Sequence, residues 1–363
     1  DLHSFPTRRS SDLLSSTASS TSGPLGGWTL EQKAGQLLMV GAETSGDQAA
    51  ALDAVSTHHV GNVFIAKPTR SGAGSVRDIV ASLTGLVGPE TTHDAPMLVA
   101  TDQEGGQVQV LGGDGFSDIP PASEQAAASR DDLVAKAQGW GQEMADVGIT
   151  MNLAPVADLV DIPNPSDNGP IGKWEREYGH DVETVLDRAT AFAQGMEAAG
   201  VIATYKHFPG LGRVTANTDT ASGVTDDVTA RSEDPAVSVF ADAIGKGAKV
   251  IMVSSAIYSL IDSSAPALFS SVVVTDMLRG DLGFTGVVIT DDVSAADQVQ
   301  DRTPAERAVQ AVRAGCDIVL ASADATVVAD MAQALVTEAQ GDPAFAKRVD
   351  ESAARVLALK TES

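Results

Sequence analysis

The chain has 363 residues, 43% of them hydrophobic and 20% charged, which is enough apolar side chain for a large core and unlike the composition of a disordered polymer. Its 49 acidic residues against 24 lysines and arginines give a formal charge of -25, so a phosphate backbone meets repulsion and nucleic acid is excluded as a partner. The lone cysteine, Cys316, permits neither an internal disulfide nor a paired-cysteine zinc site, and no run of 18 apolar residues is present to cross a membrane.

Residues 2–13 look like translated sequencing-adapter DNA and are set apart from the fold. Residues 15–27 are rich in Ser, Thr and Gly, cannot bury enough surface to order themselves, and read as a tether. Tethers of this kind often follow a lipid-modified cysteine, so a cell-envelope or secreted location with a lipid anchor is expected, the cytoplasm being the alternative. Residues 1–27 are thus read as artefact plus tether and 28–363 as the folded catalytic domain.

From Trp28 onward, short apolar runs alternate with longer amphipathic segments, the pattern of a parallel sheet with covering helices. Strands are expected at 36–41, 61–66, 97–101, 150–155, 202–205, 250–254, 286–290 and 317–321, several of them continuous apolar runs that suit burial on both faces. Helices are clearest at 131–147, 182–199, 234–246 and 303–314, with a closing helix at 344–359. An open doubly wound sheet would carry a glycine-rich phosphate fingerprint after its first strand, and Leu37-Leu38-Met39-Val40-Gly41-Ala42-Glu43 lacks one. The fold expected is α/β, a single (β/α)8 TIM-type barrel, whose active site lies at the C-terminal ends of the strands.

Those ends are rich in polar groups: Asp102-Gln103-Glu104-Gly105-Gly106 after the third strand, Asp158 after the fourth, Lys206-His207-Phe208-Pro209-Gly210 at the fifth and Asp291-Asp292 after the seventh. No tight metal-ligand spacing is among them, and no cofactor or metal is expected. Acids beside a cation on one rim suit cleavage of a glycosidic bond, which needs a carboxylate at the anomeric carbon and a proton donor for the leaving oxygen.

These motifs, together with Asn152-x-Ala154-Pro155-Val156 and Arg176 ahead of Tyr178-Gly179, resemble glycoside hydrolase family 3 in order and spacing across most of residues 28–322. The Pro209-Gly210 step and the lack of a second domain are similar to the bacterial β-N-acetylglucosaminidase branch that trims peptidoglycan fragments. The resemblance implies Asp291 as a nucleophile that forms a glycosyl ester, with Asp292 supporting it or capping the next helix. It implies Asp102, Arg176, Lys206 and His207 as substrate-binding groups, with Gly105-Gly106 letting the backbone approach the sugar closely, a carbohydrate as the partner, and a monomer. A barrel lysine can also form a Schiff base, but His207 and Phe208-Pro209-Gly210 beside Lys206 favour the sugar role.

The chain departs from that branch where the proton donor is usually a histidine in an Asp-x-His group, for here the stretch reads Asp219-Thr220-Ala221. Leu211 stands where the pattern commonly has histidine, and Gln107 and Val110 where it has arginines. Asp219 is the retained member and would donate the proton if burial raised its carboxyl from about 3.9 toward neutrality; Asp226 and Asp227 are weaker candidates. Three alternatives stay open: another loop acid replaces the histidine, a partner or the substrate supplies the proton, or the site binds sugar without turnover. A phosphate nucleophile entering beside Gly210-Leu211-Gly212-Arg213, or a β-glucoside substrate, would be a variant of the same family. Trp28 and Trp140 are read as packing residues, Trp174 as a rim residue able to stack on a sugar, His58 and His59 as polar-loop residues and His180 as opening a helix, none of the three with chemistry.

Overall fold

The computed structural model describes residues 25–361; the adapter-like segment and all but the last three residues of the tether lie outside the described residues. Eight strands run parallel around a barrel: β1 (Leu38–Glu43), β2 (Asn62–Ala66), β3 (Leu98–Thr101), β4 (Met151–Asn152), β5 (Ile202–Phe208), β6 (Val250–Val253), β7 (Val287–Thr290) and β8 (Val319–Ala321). Sequence neighbours pair from β1 to β7, and β1 also pairs with β8. The β7/β8 seam is bridged by Ile289 and Ile318, with Thr290 N donating to Ile318 O at 3.0 Å. The expected barrel is therefore the one observed.

The side chains of a strand alternate between its two faces, and the core divides accordingly. Met39, Phe64, Leu98, Ala100, Met151, Ile202, Val250, Met252, Val287, Ile289, Ile318 and Leu320 form an inner cluster that fills the barrel. The alternate residues, such as Leu38, Val40, Val63, Val99, Ala203, Ile251, Val288 and Val319, belong to a second cluster shared with the surrounding helices. Val356 and Leu359 of the final helix, Pro343–Thr361, join the inner cluster and close the end opposite the strand C-termini.

Several boundaries differ from expectation, the fifth strand running on to Phe208 and the eighth starting at Val319, and two of the differences have a plain physical reason. The first strand begins at Leu38 rather than 36, because Thr29 and Gln32 form a reciprocal capping box that starts a helix running through Gln36. The fourth ladder is only Met151–Asn152, since Pro155 has no N–H to donate. The helices at Arg130–Ala145, Val182–Ala198, Pro235–Gly245 and Pro304–Ala314 begin at Ser129, Asp181, Asp234 and Thr303, each capping a backbone N–H with its side chain. A π-wound helix, Val272–Asp281, precedes β7. No helix among the described residues is long and apolar enough to cross a membrane. Cys316 is buried, and that burial pushes its thiol up to about 12, which suits a packing role.

Asp317 ties the base of the barrel together. Its fully buried carboxylate accepts from Arg279 at 2.5 Å, Arg348 at 2.6 Å, Arg355 at 3.1 Å, Ser352 at 2.9 Å and the Val288 N–H at 2.9 Å, linking the π-wound helix, the final helix and β7. Removing such a carboxylate strands charges in a dry site, so Asp317→Ala is expected to lower unfolding stability by about 3–5 kcal/mol in urea denaturation. A loss under about 1 kcal/mol would show that the arginines reach solvent on their own.

Candidate active site

The strand C-termini surround a cavity of about 340 Å³. Asp102, Arg176, Lys206, His207, Asp219 and Asp291, the six residues singled out in the sequence, all line it, together with Asp292, Leu211, Asn217, Thr218 and the apolar Leu153, Met252 and Leu320. Period-two alternation accounts for three of them: Asp102 follows inward Ala100 by two residues, Asp291 follows Ile289, and Lys206 follows Ile202 by four. His207 has the opposite parity, yet it too faces the cavity. The β5/β6 register shifts between Tyr205 and Phe208, and the Lys206–His207 peptide bond is cis.

The inner wall is a network of two cations and two carboxylates. Lys206 Nζ lies 2.7 Å from Asp102 Oδ1 and 2.5 Å from Glu104 Oε1. Arg176 grips Glu104 with both prongs, Nε and one terminal nitrogen each at 2.8 Å, and its other terminal nitrogen donates to Pro170 O at 2.8 Å. Burial opposes ionisation of Glu104, but the charges of Arg176 and Lys206 outweigh it and hold the carboxyl at about 2. Burial would also lower Lys206, yet Asp102 and Glu104 raise it, so its ammonium stays charged. Two of its three protons serve carboxylates, which leaves one for a ligand.

His207 is oriented from behind by Asp158, which is 0% exposed. Asp158 Oδ2 lies 2.7 Å from His207 Nδ1, while Oδ1 accepts the backbone N–H groups of His207 at 3.0 Å and Leu211 at 2.7 Å. A carboxylate acceptor at Nδ1 selects the tautomer protonated there, so Nε2 is the nitrogen presented to a ligand.

The opposite wall carries carboxylates of another kind. Asp291 accepts the Asp292 N–H at 2.8 Å, and burial pushes its carboxyl up to about 6, with His207 working against the rise and neighbouring Asp219 adding to it. Asp219 is exposed at the mouth, yet protein surrounds it on most sides. That desolvation raises its carboxyl, Arg176 pulls it down, and Asp292 pushes it up. Asp292 acts structurally, joining the loops after β7 and β8. Its Oδ1 accepts from the hydroxyls of Ser294 at 2.7 Å and Ser322 at 3.0 Å and from the Ser322 N–H at 2.7 Å, and its Oδ2 from the Ala295 N–H at 2.8 Å.

Two residues of the site were passed over in the sequence. Glu104 stands two positions beyond Asp102 in an extended stretch, so both point the same way, and that spacing was a usable signal. Asp158 was visible as an acid after the fourth strand, although nothing in the sequence pairs it with His207. The expectation that Gly105 and Gly106 let a backbone approach the sugar is corrected. Their φ angles are 108° and 59°, and a Cβ would strike Pro120 O at 2.3 Å and Pro121 Cβ at 2.8 Å, so they serve the turn against those prolines. Ala221, where the family pattern has histidine, is half-buried against the apolar core. Trp174 is 37% exposed on the rim loop, its indole N–H donating to Gly169 O at 3.0 Å.

Residues 29–359 match the family model described as the glycosyl hydrolase family 3 N terminal domain. Among curated relatives, a protein named beta-hexosaminidase from Stenotrophomonas maltophilia is 31% identical over 78% of this chain and 82% of its own length. One of Vibrio cholerae is 35% identical over 62% of this chain, and the match spans 66% of that relative's length, just under two thirds. Among solved structures, a beta-N-acetylhexosaminidase from Beutenbergia cavernae superposes with a TM-score of 0.90 at 53% identity, covering 92% of this chain and 98% of that one. A family 3 beta-N-acetylglucosaminidase from a Paenibacillus species gives a TM-score of 0.81 at 31% identity, covering 92% of this chain and 62% of that one. The chain belongs to glycosyl hydrolase family 3.

Proposed function

We propose that this protein is a retaining β-N-acetylhexosaminidase that removes terminal β-linked N-acetylglucosamine from peptidoglycan-type fragments through a glycosyl ester on Asp291. The observation that carries the reading is the division of labour among the carboxylates around one small cavity. Asp102 and Glu104 are neutralised by Lys206 and Arg176, whereas Asp291 and Asp219 are held above the usual carboxylate range. Pairs of acids pushed in different directions mark acid and base roles. The names of the relatives support the substrate class.

In this reading Asp102 and His207 Nε2 accept hydroxyl protons of the bound sugar, while Lys206 and Arg176 donate to its oxygens. Asp291 attacks the anomeric carbon as Asp219 gives its proton to the leaving oxygen, so the glycosidic bond breaks as the ester forms. Asp219, now a carboxylate, takes a proton from water; that water displaces Asp291 and returns the sugar with its original configuration. The productive form is the one in which Asp219 is protonated and Asp291 is ionised.

Turnover of 4-nitrophenyl β-N-acetylglucosaminide is expected to exceed that of the β-glucoside and to be indifferent to phosphate. In kcat/KM, which reports the glycosylation step, Asp219→Asn should cost about 100-fold or more on an unactivated alkyl glycoside and under about 10-fold on the nitrophenyl substrate. Equal losses on both would remove Asp219 as the acid, phosphate-dependent turnover would make the protein a phosphorylase, and sugar binding without product would make it a binding protein.

Asp291→Asn should abolish turnover and stabilise the fold. A carboxyl whose folded pKa of about 6 lies above its unfolded 3.8 binds more protons folded than unfolded between those values, so stability falls as pH rises through that window. The asparagine variant should be more stable than wild type by about 1–3 kcal/mol above pH ~6 and equal to it below pH ~4. A constant difference across that range in pH-dependent thermal denaturation would contradict the buried charge.

A further inference from the structure

The loop that carries Asp219, residues 211–224, is held at both ends by buried amides. At its start Asn168, 0% exposed, donates from Nδ2 to Leu211 O at 2.9 Å and Val214 O at 2.7 Å. At its end Gln298, 5% exposed, accepts the Val224 N–H through Oε1 at 2.9 Å and donates from Nε2 to Val224 O at 3.1 Å, as a neighbouring strand would. The backbone adds two more links: Gln298 N donates to Thr218 O at 3.1 Å, and Asp297 N to Asp219 O at 3.2 Å. Asp297 and Gln298 sit in the short 3-10 turn Asp297–Val299, which starts six residues beyond the proposed nucleophile on the same loop.

We propose that Gln298 is a positioning residue for Asp219, fixing the proton donor's loop to the nucleophile's loop so that the two carboxylates keep one separation across the glycosidic bond. The inference rests on the reading of Asp219 as the acid. Retaining chemistry needs the two carboxyl groups about 5–5.5 Å apart, and a donor on a long irregular loop holds such a distance only if something rigid supports it. Gln298 meets that need with a buried side chain whose donor and acceptor are both committed to one loop residue, and with a backbone N–H that reaches the carbonyl just before Asp219. The coupling is direct, because any shift of the turn at 297–299 moves Asp219 and the nucleophile's loop together.

The test is a double-mutant cycle with two substrates. Gln298→Met keeps the length of the side chain and removes both of its hydrogen bonds. It is expected to lower kcat/KM on an unactivated alkyl N-acetylglucosaminide by about 10- to 100-fold while changing the nitrophenyl substrate by less than about 3-fold. In an Asp219→Asn background the same change should cost under about 3-fold on either substrate, since Gln298 acts through the missing acid. Equal losses on both substrates, or losses that multiply with those of Asp219→Asn, overturn the positioning role. Should Asp219→Asn alone show no dependence on the leaving group, the acid reading has failed, and that outcome is separate from a failure of Gln298→Met. If Gln298→Met does not fold, Gln298→Glu assayed at pH 8 keeps the acceptor for Val224 N and loses the donor to Val224 O. A loss confined to the unactivated substrate supports the proposal, and wild-type rates on it overturn the proposal.

Discussion

The chemistry of the cavity depends on a shortage of cations. Asp102, Asp219, Asp291 and Asp292 line the same small space, and the two cations there, Lys206 and Arg176, are committed by geometry to Asp102 and the buried Glu104. Arg176 meets Glu104 with a bidentate fork, the arrangement in which a guanidinium and a carboxylate gain most, and Lys206 bridges Glu104 to Asp102. Neither Asp291 nor Asp219 forms an ion pair among the described residues; desolvation raises both carboxyls, Asp219 adds to the rise of Asp291, and Arg176 pulls Asp219 down. In a chain with a net charge of -25, such a local excess of negative charge is easily produced; placing the two cations where they leave one pair bare is what makes a site of it.

The barrel supplies that placement. Inward positions on successive strands are filled by Leu, Ile, Val and Met through the body of the barrel, and at the last inward position of β3, β5 and β7 or just beyond it the side chain changes to Asp102, Lys206 and Asp291. The apolar layer below keeps the floor dry, which strengthens the ion pairs and raises the unpaired acids by the same cause. The outer parts of the site depend on loops, and these are held by buried polar side chains: Asp158 under His207, Asn168 between the rim loop and Leu211, Asp292 between the loops after β7 and β8.

Much of this was legible in the sequence, because the signals were local and periodic. The eight strands, the barrel, and the positions of Asp102, Lys206 and Asp291 follow from apolar runs that end in polar residues. The short first helix was lost because Thr29 and Gln32 cap a segment that runs directly into apolar Leu37 and Leu38. Glu104 was overlooked although it sits one pleat from Asp102, since its partner Arg176 is 72 residues away and only the closed barrel joins them. The same holds for Asp158 and His207, 49 residues apart, and for Gln298 and Val224, 74 apart. Side-chain contacts between separate βα loops leave no periodic trace, and Gly105 and Gly106 were misread for that reason: the prolines they abut lie in another part of the same loop.

The absence of a histidine in the 211–224 loop leaves the attacking residue as the central question, for the proposed retaining reaction passes through a sugar ester on Asp291 whatever supplies the proton. The most direct measurement is mass spectrometry of the Asp219→Asn variant, quenched in acid during turnover of 4-nitrophenyl β-N-acetylglucosaminide, when removal of the proposed general base should slow hydrolysis of the ester. Protein heavier by one N-acetylglucosaminyl residue, with the added mass on the peptide that contains Asp291, is the predicted result. Nitrophenol release with no ester at any time, or an ester on a residue other than Asp291, would contradict the account.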